Sequence, residues 1–394
     1  MKILVVSQYY YPEPFRINEI CEELVKRGHE VTVLTGMPNY PDGEIYPGYE
    51  KEHDNEVLKG VKVVRCNIRP RKKGAVNLLF NYLSFWFKGR MAVKQLPNDF
   101  DVVYSYQLSP ITSSSPACWY SKQFQKPHFL YCLDIWPESV IENISSKSPV
   151  YKYITSLSKR IYSSTTTIGV TSPSFIDYLS NLTDRPKEKF VYIPQHARDI
   201  SCKSSTEKNE QLNIVFTGNI GASQNLDVLI EAVMKIKNEK GFKVTIVGSG
   251  SDLARLQEKV VQQGLSHLVH FTGRQPKEKM PEYYEMADFC FLSLRDEGAV
   301  SWTIPGKLQE YMSAGKPILA AINGDAKFVI EDSRCGVCVD YNDTDELAKT
   351  ILKYSSRKEE LKQFGVNARE YYLKHFTLNK HVDALENALR EITS

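Results

Sequence analysis

Residues 212–233 read LNIVFTGNIGASQNLDVLIEAV and predict a strand, a tight turn and a helix in direct succession. The strand is the short apolar run at residues 213–216, and the turn is the glycine-containing segment at residues 221–223. A helix is expected next because apolar side chains recur at helical spacing, at Leu226, Leu229, Ile230 and Val233. A strand that leads into an amphipathic helix begins a βαβ unit, so the stretch predicts an α/β fold with a parallel sheet.

The same alternation of strand and helix runs through both halves of the chain. Further strands are predicted at residues 3–6, 31–34, 61–65, 102–104, 128–131, 167–170, 244–247, 268–271, 289–292 and 317–320. A polar stretch without periodicity, residues 199–210, separates the halves. We therefore expect two doubly wound, Rossmann-like domains facing across a cleft, residues 1–198 and 199–377, with a helix at 378–394 completing the first. Ligands of such sheets bind beyond the carboxyl ends of the strands.

The composition is that of a globular protein, with 394 residues of which 42% are hydrophobic and 25% are charged. These values exclude a disordered chain, a coiled coil and a multi-span membrane protein. The net charge is +3, but residues 57–98 hold ten Lys and Arg without a single Asp or Glu, so the rest of the chain is acidic. This asymmetry favours an anionic surface as a partner and argues against a protein built around nucleic acid.

The cysteines give no sign of a metal site or a disulfide framework. All eight are scattered along the chain, which is typical of buried reduced thiols. Cys335 and Cys338 form a single C-x-x-C pair, with no second pair and no histidine at zinc-finger spacing. We therefore predict no metal and no cofactor. The first residues lack the features of a signal peptide, so a cytoplasmic protein is expected.

Seven motifs in order along the chain resemble those of a known family. They are QYYYPEP (8–14), LVKRGHEVTVLT (24–35), MPNYPDG (37–43), DIWPE (134–138), FTGNIG (216–221), FTGR (271–274) and PGKLQEYMSAGKP (305–317). Together they resemble the family-4 retaining glycosyltransferases of GT-B fold, over nearly the whole chain. The version with Trp-Pro-Glu looks like the bacterial O-antigen and capsule subgroup, which includes the transferases of N-acetyl-L-fucosamine. The resemblance implies transfer of a sugar from a UDP-sugar to a lipid-linked saccharide. Because no acidic D-x-D clamp on the diphosphate is apparent, we expect the transfer to be metal-independent.

A diphosphate site is predicted where a helix begins near residue 306. Gly306 opens the first turn, whose backbone N–H groups have no partner within the helix, and Lys307 adds a mobile cation. Glu310 lies three residues later on the same helix face. The resemblance implies that Glu310 binds the ribose diol and that Lys307 and Glu310 are both catalytic residues. From the residues alone, a solvated helix of mixed charge is the alternative.

Two departures from the family pattern affect this predicted donor site. The family's Arg and Lys after the first glycine, Gly218, are replaced by Asn219 and Gln224, which leaves Lys307 and Arg274 as the cations for a diphosphate.

The second departure lies in the family's E-x7-E motif. Trp302 stands eight residues before Glu310, in place of the first glutamate, and Glu297 is a candidate substitute on a longer loop. An acidic loop before a helix is also commonplace, so that alternative stays open.

An acceptor site is predicted in the first half of the chain. Asp134 follows a central strand and would orient or deprotonate the acceptor hydroxyl, with a cap of the following turn as the alternative. Two loops after the first and second strands add candidate acceptor-binding residues, which are Tyr10, Glu13, Arg16 and Asn39. Tyrosines are abundant in this chain, and most of them must be packing residues.

A membrane-docking element is predicted at residues 69–94. Four basic residues come first, namely Arg69, Arg71, Lys72 and Lys73. The apolar helical stretch that follows contains Trp86 and is too short to span a bilayer. A polar stripe at Asn77, Asn81, Ser84 and Lys88 is expected on the side opposite the lipid-facing or core-facing apolar side chains. Such an element would bind anionic lipid at the inner face of the plasma membrane, and an ordinary helix packed on the sheet is the alternative.

Two other classes of function compete with a transferase. A sugar-nucleotide epimerase uses a similar fold, but it needs paired acid and base groups around one sugar nucleotide and no lipid surface. A non-catalytic nucleotide-binding scaffold at a membrane is compatible with the missing Arg and Lys pair.

Overall fold

The structure, a computed structural model, describes residues 1–49, 56–140, 144–200, 202 and 211–394. It divides the chain into two compact units: unit 1 is Met1–Pro194 with Leu378–Ser394, and unit 2 is Gln195–Thr377. The first division lies before residue 195, whereas the sequence predicts it before residue 199. Most of the predicted polar linker at 199–210 lies outside the described residues.

Each unit is built around one predominantly parallel sheet. The strands of unit 1 are β1 Lys2–Val6, β2 Glu30–Gly36, β3 Glu56–Leu58, β4 Val61–Cys66, β5 Val102–Gln107, β6 His128–Cys132, β7 Thr167–Val170 and β8 Phe190–Tyr192. Those of unit 2 are β9 Leu212–Asn219, β10 Phe242–Ser249, β11 Val269–Gly273, β12 Phe289–Ser293, β13 Ile318–Ala321 and β14 Gly336–Val339. The strand orders are β3-β4-β2-β1-β5-β6-β7-β8 and β11-β10-β9-β12-β13-β14. Only β3 and β4 pair antiparallel among the described pairs.

Helices connect the strands, as the alternating pattern predicts. They are α1 Ile17–Lys26, α2 Ala75–Ala92, α3 Ser115–Phe124, α4 Pro149–Ser163, α5 Ser174–Thr183, α6 Asp227–Lys235, α7 Leu253–Gln262, α8 Met280–Met286, α9 Gly306–Ser313, α10 Gly324–Ser333, α11 Thr344–Ser355, α12 Lys358–His375 and α13 Leu378–Thr393. Within the described ranges, no helix is both long and apolar enough to cross a membrane.

The sheet of unit 1 is buried on both faces, which explains its continuous apolar strands. Ile3 and Val5 of β1 pack in one cluster with α1 and α13, whereas Leu4 and Val6 pack in another with α2 and α3. The last helix, α13, therefore completes the core of unit 1. Its His381 ring lies edge-on to Tyr131 of β6, with the ring centroids 5.3 Å apart.

Unit 2 has an apolar cluster formed by β9, β10 and the helices α6, α7 and α11. All eight cysteines of the chain are free thiols. Cys335 is buried, and Cys338 is partly buried on β14 at the edge of the sheet.

Candidate functional site

The carboxyl end of β9 meets the first turn of α9 in unit 2. Gly218 has φ of 127°, and a Cβ added there would lie 2.5 Å from Cε of Lys307, so a side chain at this position would displace the lysine. The Lys307 ammonium lies 4.4 Å from the centroid of the Phe216 ring and donates a hydrogen bond to the side-chain oxygen of Gln224. The structure therefore brings the predicted residues Gly218 and Lys307 into contact.

The charge of Lys307 is only weakly compensated. Burial lowers the pKa of its ammonium to about 7, and the nearby Glu310 carboxylate opposes that shift. A lysine held among a ring, an amide oxygen and a backbone turn is stabilised in its charged form by any anion that enters. A phosphate group beside Lys307 would therefore favour the charged form of the lysine.

Helix α9 is fixed to β9 by a buried tyrosine pair that sequence reasoning missed. The Tyr311 hydroxyl accepts a hydrogen bond from the Thr217 backbone N–H at 3.0 Å, and the Tyr284 hydroxyl lies 3.3 Å from Thr217 Oγ1. The two tyrosine rings meet edge to face, 5.9 Å between centroids. This anchoring sets where Gly306, the first residue of α9, and Lys307 lie relative to Gly218.

The loop that carries Gln224 is held by residues at and just after the end of β12. The Ser293 hydroxyl donates to the Gln224 backbone oxygen at 2.5 Å, and the Arg295 backbone N–H donates to the Ser223 oxygen at 3.0 Å. Gln224 stands where the related family has a lysine. In this structure its loop is held in place, and its side chain is the hydrogen-bond partner of Lys307. No sequence pattern predicts that pairing, because it joins loops from distant parts of the chain.

Two glycine turns interlock at the carboxyl ends of β9 and β10. A Cβ at Gly248, where φ is 151°, would collide with the Gly218 carbonyl oxygen, and one at Gly250 would collide with that of Ile220. The Ile220 N–H also donates to the Ser249 oxygen at 2.9 Å. The sequence contains the signal for this second turn, since Gly-Ser-Gly follows the predicted strand at residues 244–247.

The other predicted donor residues lie in loops at the same end of the sheet. Asn219 is exposed at the end of β9, and Arg274 is exposed directly after β11, with β10 between the two strands. Glu297 is exposed at the start of a short 3₁₀ turn, Gly298–Val300, between β12 and α9. These residues and Lys307 lie at the carboxyl end of the same sheet, and the roles of Asn219, Arg274 and Glu297 in donor binding stay predictions.

In unit 1, Asp134 follows β6 and joins two loops. Its Oδ2 accepts a hydrogen bond from the Ser109 backbone N–H at 2.9 Å, and the Ser109 hydroxyl accepts one from the Trp136 indole N–H at 3.0 Å. Burial raises the pKa of the Asp134 carboxyl, and its hydrogen bonds with Ser109 oppose the shift. The carboxylate thus contacts the loop after β5 rather than the turn that follows Asp134 itself, which disfavours a simple turn cap.

The loops predicted to bind the acceptor are arranged around a buried carboxylate, that of Glu13. This residue has no exposed surface, and its Oε1 accepts the backbone N–H groups of Asn39 at 2.8 Å and Tyr40 at 2.7 Å. Tyr10 is 1% exposed in the core, and Asn39 is likewise 1% exposed. The side chains of Tyr10, Glu13 and Asn39 are therefore buried, and their direct contact with an acceptor stays a prediction. Arg16 precedes α1 and keeps partial exposure.

Two polar residues of the predicted stripe on α2, Asn81 and Ser84, face the protein. Asn81 is fully buried: its side-chain oxygen accepts from the Gln8 amide at 2.8 Å, and its amide donates to the Arg69 backbone oxygen at 2.6 Å. Ser84 accepts from the Arg69 N–H at 2.9 Å. Asn81 and Ser84 thus lie on the side of α2 that faces the protein, where they satisfy the backbone of the segment that precedes the helix.

The outer face of α2 is instead apolar. Its side chains are 43–65% exposed and recur at helical spacing, namely Val76, Leu79, Phe80, Phe87 and Met91. Trp86 is partly buried and stacks against Phe87, with ring centroids 5.6 Å apart. Among the predicted cations, Arg69, Lys72 and Lys73 are exposed, and Arg71 is partly buried. The guanidinium groups of Arg69 and Arg71 lie over the rings of Phe80 and Tyr40, at 4.7 Å and 5.4 Å.

Solved structures share this fold across the whole chain. Sucrose-phosphate synthase from Thermosynechococcus elongatus superposes with a TM-score of 0.79 at 16% identity, covering 99% of this chain and 98% of that one. Anabaena Alr3699/HepE, in complex with UDP, superposes with a TM-score of 0.73 at 14% identity, covering 99% of this chain and 100% of that one. Both units are Rossmann-like α/β domains of the GT-B type.

Sequence relatives agree with the fold. WcaI of Escherichia coli strain K12, provisionally named a colanic acid biosynthesis glycosyl transferase, is 24% identical over 80% of this chain and 82% of its own length. Residues 15–196 match the model of the glycosyl transferase 4-like domain, and residues 198–371 match that of the glycosyl transferases group 1. Because the two models together span nearly the whole chain, the protein belongs to the group 1 glycosyltransferases with the GT-B fold.

Proposed function

We propose that this glycosyltransferase moves a sugar from a UDP-sugar to a lipid-linked saccharide during the synthesis of a bacterial surface polysaccharide, with retention of the anomeric configuration. An N-acetylated amino sugar such as N-acetyl-L-fucosamine is the proposed donor sugar. The observation that carries the proposal is the contact between Gly218 and Lys307 at the start of α9, with Glu310 on the same helix. The names of WcaI and of the UDP complex of HepE support the polysaccharide and the nucleotide.

In the proposed donor site, Lys307 and the first-turn amides at Gly306 bind the diphosphate, while Glu310 accepts hydrogen bonds from the ribose hydroxyls. Asn219 contributes at the glycine turn, Arg274 adds a second cation from the loop after β11, and Glu297 contacts the sugar. Charge develops on the diphosphate as the glycosidic bond breaks. Lys307 stabilises that charge, and the acceptor hydroxyl attacks from the same face as the departing diphosphate, so the configuration is retained without a covalent enzyme intermediate.

In the proposed acceptor site, Asp134 orients the attacking hydroxyl and withdraws its proton. Burial raises the pKa of this carboxyl, which makes the ionised form a stronger base than an exposed aspartate. Arg16 is the remaining predicted acceptor residue with surface available to a ligand.

The experiment that tests the transferase is an assay for free nucleotide. The protein is incubated with a UDP-sugar panel, with and without lipid-linked saccharide acceptors. A transferase releases UDP only when the acceptor is present. Conversion of one UDP-sugar to another without acceptor would identify an epimerase, and binding without either reaction would identify a scaffold.

Catalysis is expected to be independent of divalent metal. Within the described residues, no cluster of three or more His, Cys, Asp or Glu could hold a metal ion, and Lys307 supplies the positive charge at the proposed diphosphate site. Turnover in EDTA should match turnover with added Mn²⁺ or Mg²⁺. A strict requirement for either metal would contradict this mechanism.

We also propose that α2 docks on the inner face of the plasma membrane. Its outer face combines exposed aromatic and aliphatic side chains with Lys72 and Lys73, in a segment without acidic residues. Burial of apolar side chains and attraction to anionic lipid act together in such elements. An anionic bilayer fits this charge, and failure to bind anionic vesicles in the next test would instead favour an acidic protein partner.

Vesicle sedimentation tests the docking. Lys72→Ser with Lys73→Ser should reduce binding to anionic vesicles about 30-fold at low salt, since each cation contributes about 1 kcal/mol. Leu79→Ser with Phe87→Ser should also reduce it, through lost apolar burial. Lys349→Ser with Lys353→Ser, which removes two exposed lysines of α11, is the matched control and should bind normally. Wild-type protein that fails to sediment at low salt would refute the membrane proposal.

A further inference from the structure

The buried carboxylate of Glu13 connects the two loops that follow β1 and β2. Its Oε2 accepts the Tyr10 backbone N–H at 3.2 Å, and its Oε1 accepts those of Asn39 and Tyr40 at 2.8 Å and 2.7 Å. Three backbone donors thus converge on one side chain that has no contact with solvent. In a parallel sheet, the loops at this end carry ligand-binding residues.

We propose that Glu13 is the positioning residue of the acceptor site: its ionised carboxylate holds the two loops in the arrangement that receives the saccharide, without touching it. This inference rests on the proposed transferase function. It assigns to the loops, rather than to the side chains of Glu13 and Asn39, the contact with the acceptor.

The hydrogen bonds continue from Glu13 toward α2. The Asn39 side-chain oxygen accepts the Arg71 backbone N–H at 2.7 Å, and its amide donates to the Met37 oxygen at 2.8 Å. The Arg71 guanidinium lies over Tyr40, whose ring centroid is 5.6 Å from that of Tyr9. A shift of residues 39 and 40 would therefore also move the basic segment that leads into α2.

The arrangement requires the charged form of Glu13. A carboxylate only accepts hydrogen bonds, whereas a protonated carboxyl carries an O–H that would face one of the three N–H donors. Burial raises the pKa of Glu13 to about 7, and the three backbone amides and the charge of Arg65 oppose the shift. The other titratable groups facing it are the hydroxyls of Tyr9 and Tyr46.

The raised pKa of Glu13 determines how this residue changes the free energy of unfolding with pH. Because the pKa of Glu13 is higher in the folded protein than in the unfolded chain, the folded protein binds the proton more tightly. The contribution of this group to the free energy of unfolding is therefore fully present at low pH and is lost as the pH rises toward 7. The loops are held best when the carboxylate is ionised, at the expense of global stability.

The test is Glu13→Gln, which keeps the shape of the side chain and removes the charge. The KM for the acceptor is expected to rise about tenfold, because one buried N–H then faces an amide NH₂, while the Kd for UDP stays unchanged. Glu13→Asp, which keeps the charge, should restore part of the acceptor affinity. Glu386→Gln is the matched control, a partly buried carboxylate of unit 1 that pairs with Arg27 and Arg390 instead.

Hydrogen exchange of the unliganded protein gives a readout that does not depend on turnover. After correction for intrinsic rates, the peptide covering residues 37–49 should be better protected at pH 8 than at pH 6 in the wild type. This difference should vanish in Glu13→Gln. An unchanged acceptor KM, or a wild-type pH difference that persists in the variant, would overturn the inference. Absence of turnover with every acceptor would refute the transferase proposal while leaving the exchange result interpretable.

Discussion

Replacing Lys307 with alanine is expected to reduce kcat/KM about 10²–10³-fold, the range typical for loss of a charge that stabilises a leaving group. The reason lies in the environment of the ammonium. Phe216, Gln224 and the turn at Gly218 surround it, so a neighbouring cation cannot take its place without rebuilding the turn. Glu310→Gln should also remove most turnover, because a carboxylate accepts two hydroxyl donors and an amide oxygen does so less strongly.

The matched control for Lys307→Ala is Lys353→Ala. Lys353 likewise lies over an aromatic ring, 4.9 Å from the centroid of Tyr354, but it is exposed on α11. Steady-state kinetics and UDP binding by calorimetry would be measured for both variants, with circular dichroism to confirm folding. Near-normal turnover in both Lys307→Ala and Glu310→Gln would exclude the start of α9 as the donor site.

Asp134→Asn is expected to reduce kcat about 10²–10⁴-fold, the usual contribution of a general base. The amide keeps the shape and accepts the hydrogen bond from Ser109, but it cannot take a proton. The Kd for UDP should stay the same, because the proposed donor site belongs to unit 2. In the wild type, turnover should fall as the pH drops through the raised pKa of Asp134.

Asp99→Asn serves as the control for that substitution. Asp99 is an exposed carboxylate of unit 1 that pairs with Lys2 at 2.7 Å. It should leave kcat unchanged. If Asp134→Asn weakened UDP binding and turnover equally, or lowered the melting temperature as its main effect, Asp134 would be a structural residue of the loops after β5 and β6.

The local signals in the sequence predicted the fold well. Short apolar runs such as residues 213–216 became strands, and the amphipathic pattern after residue 226 became α6, because burial on both faces of a parallel sheet demands those patterns. The motif around Gly306 and Lys307 also marked the start of α9, because it is local in the sequence. Such features depend on neighbours along the chain, so a sequence reveals them.

The contacts between distant loops were not predictable. Periodicity correctly placed Asn81 and Ser84 on one side of α2, but it could not show that this side faces the backbone of Arg69. Likewise, Glu13 resembled a ligand-binding glutamate until its three backbone donors were known. The identity of a polar residue in the sequence does not show whether its hydrogen-bond partner is a ligand or the protein's own backbone.

The position of α13 has a consequence for how the protein is made. Unit 1 begins at the first residue, yet Val382, Leu385 and Leu389 of α13 belong to its core. Unit 2 is thus inserted into unit 1, and all of its strands leave the ribosome before α13 does. During synthesis the N-terminal domain usually folds first, but here unit 2 can finish folding before unit 1 does. Unit 2 can complete its core on the nascent chain, whereas the apolar surface of β6 and α1 stays uncovered until α13 has been translated.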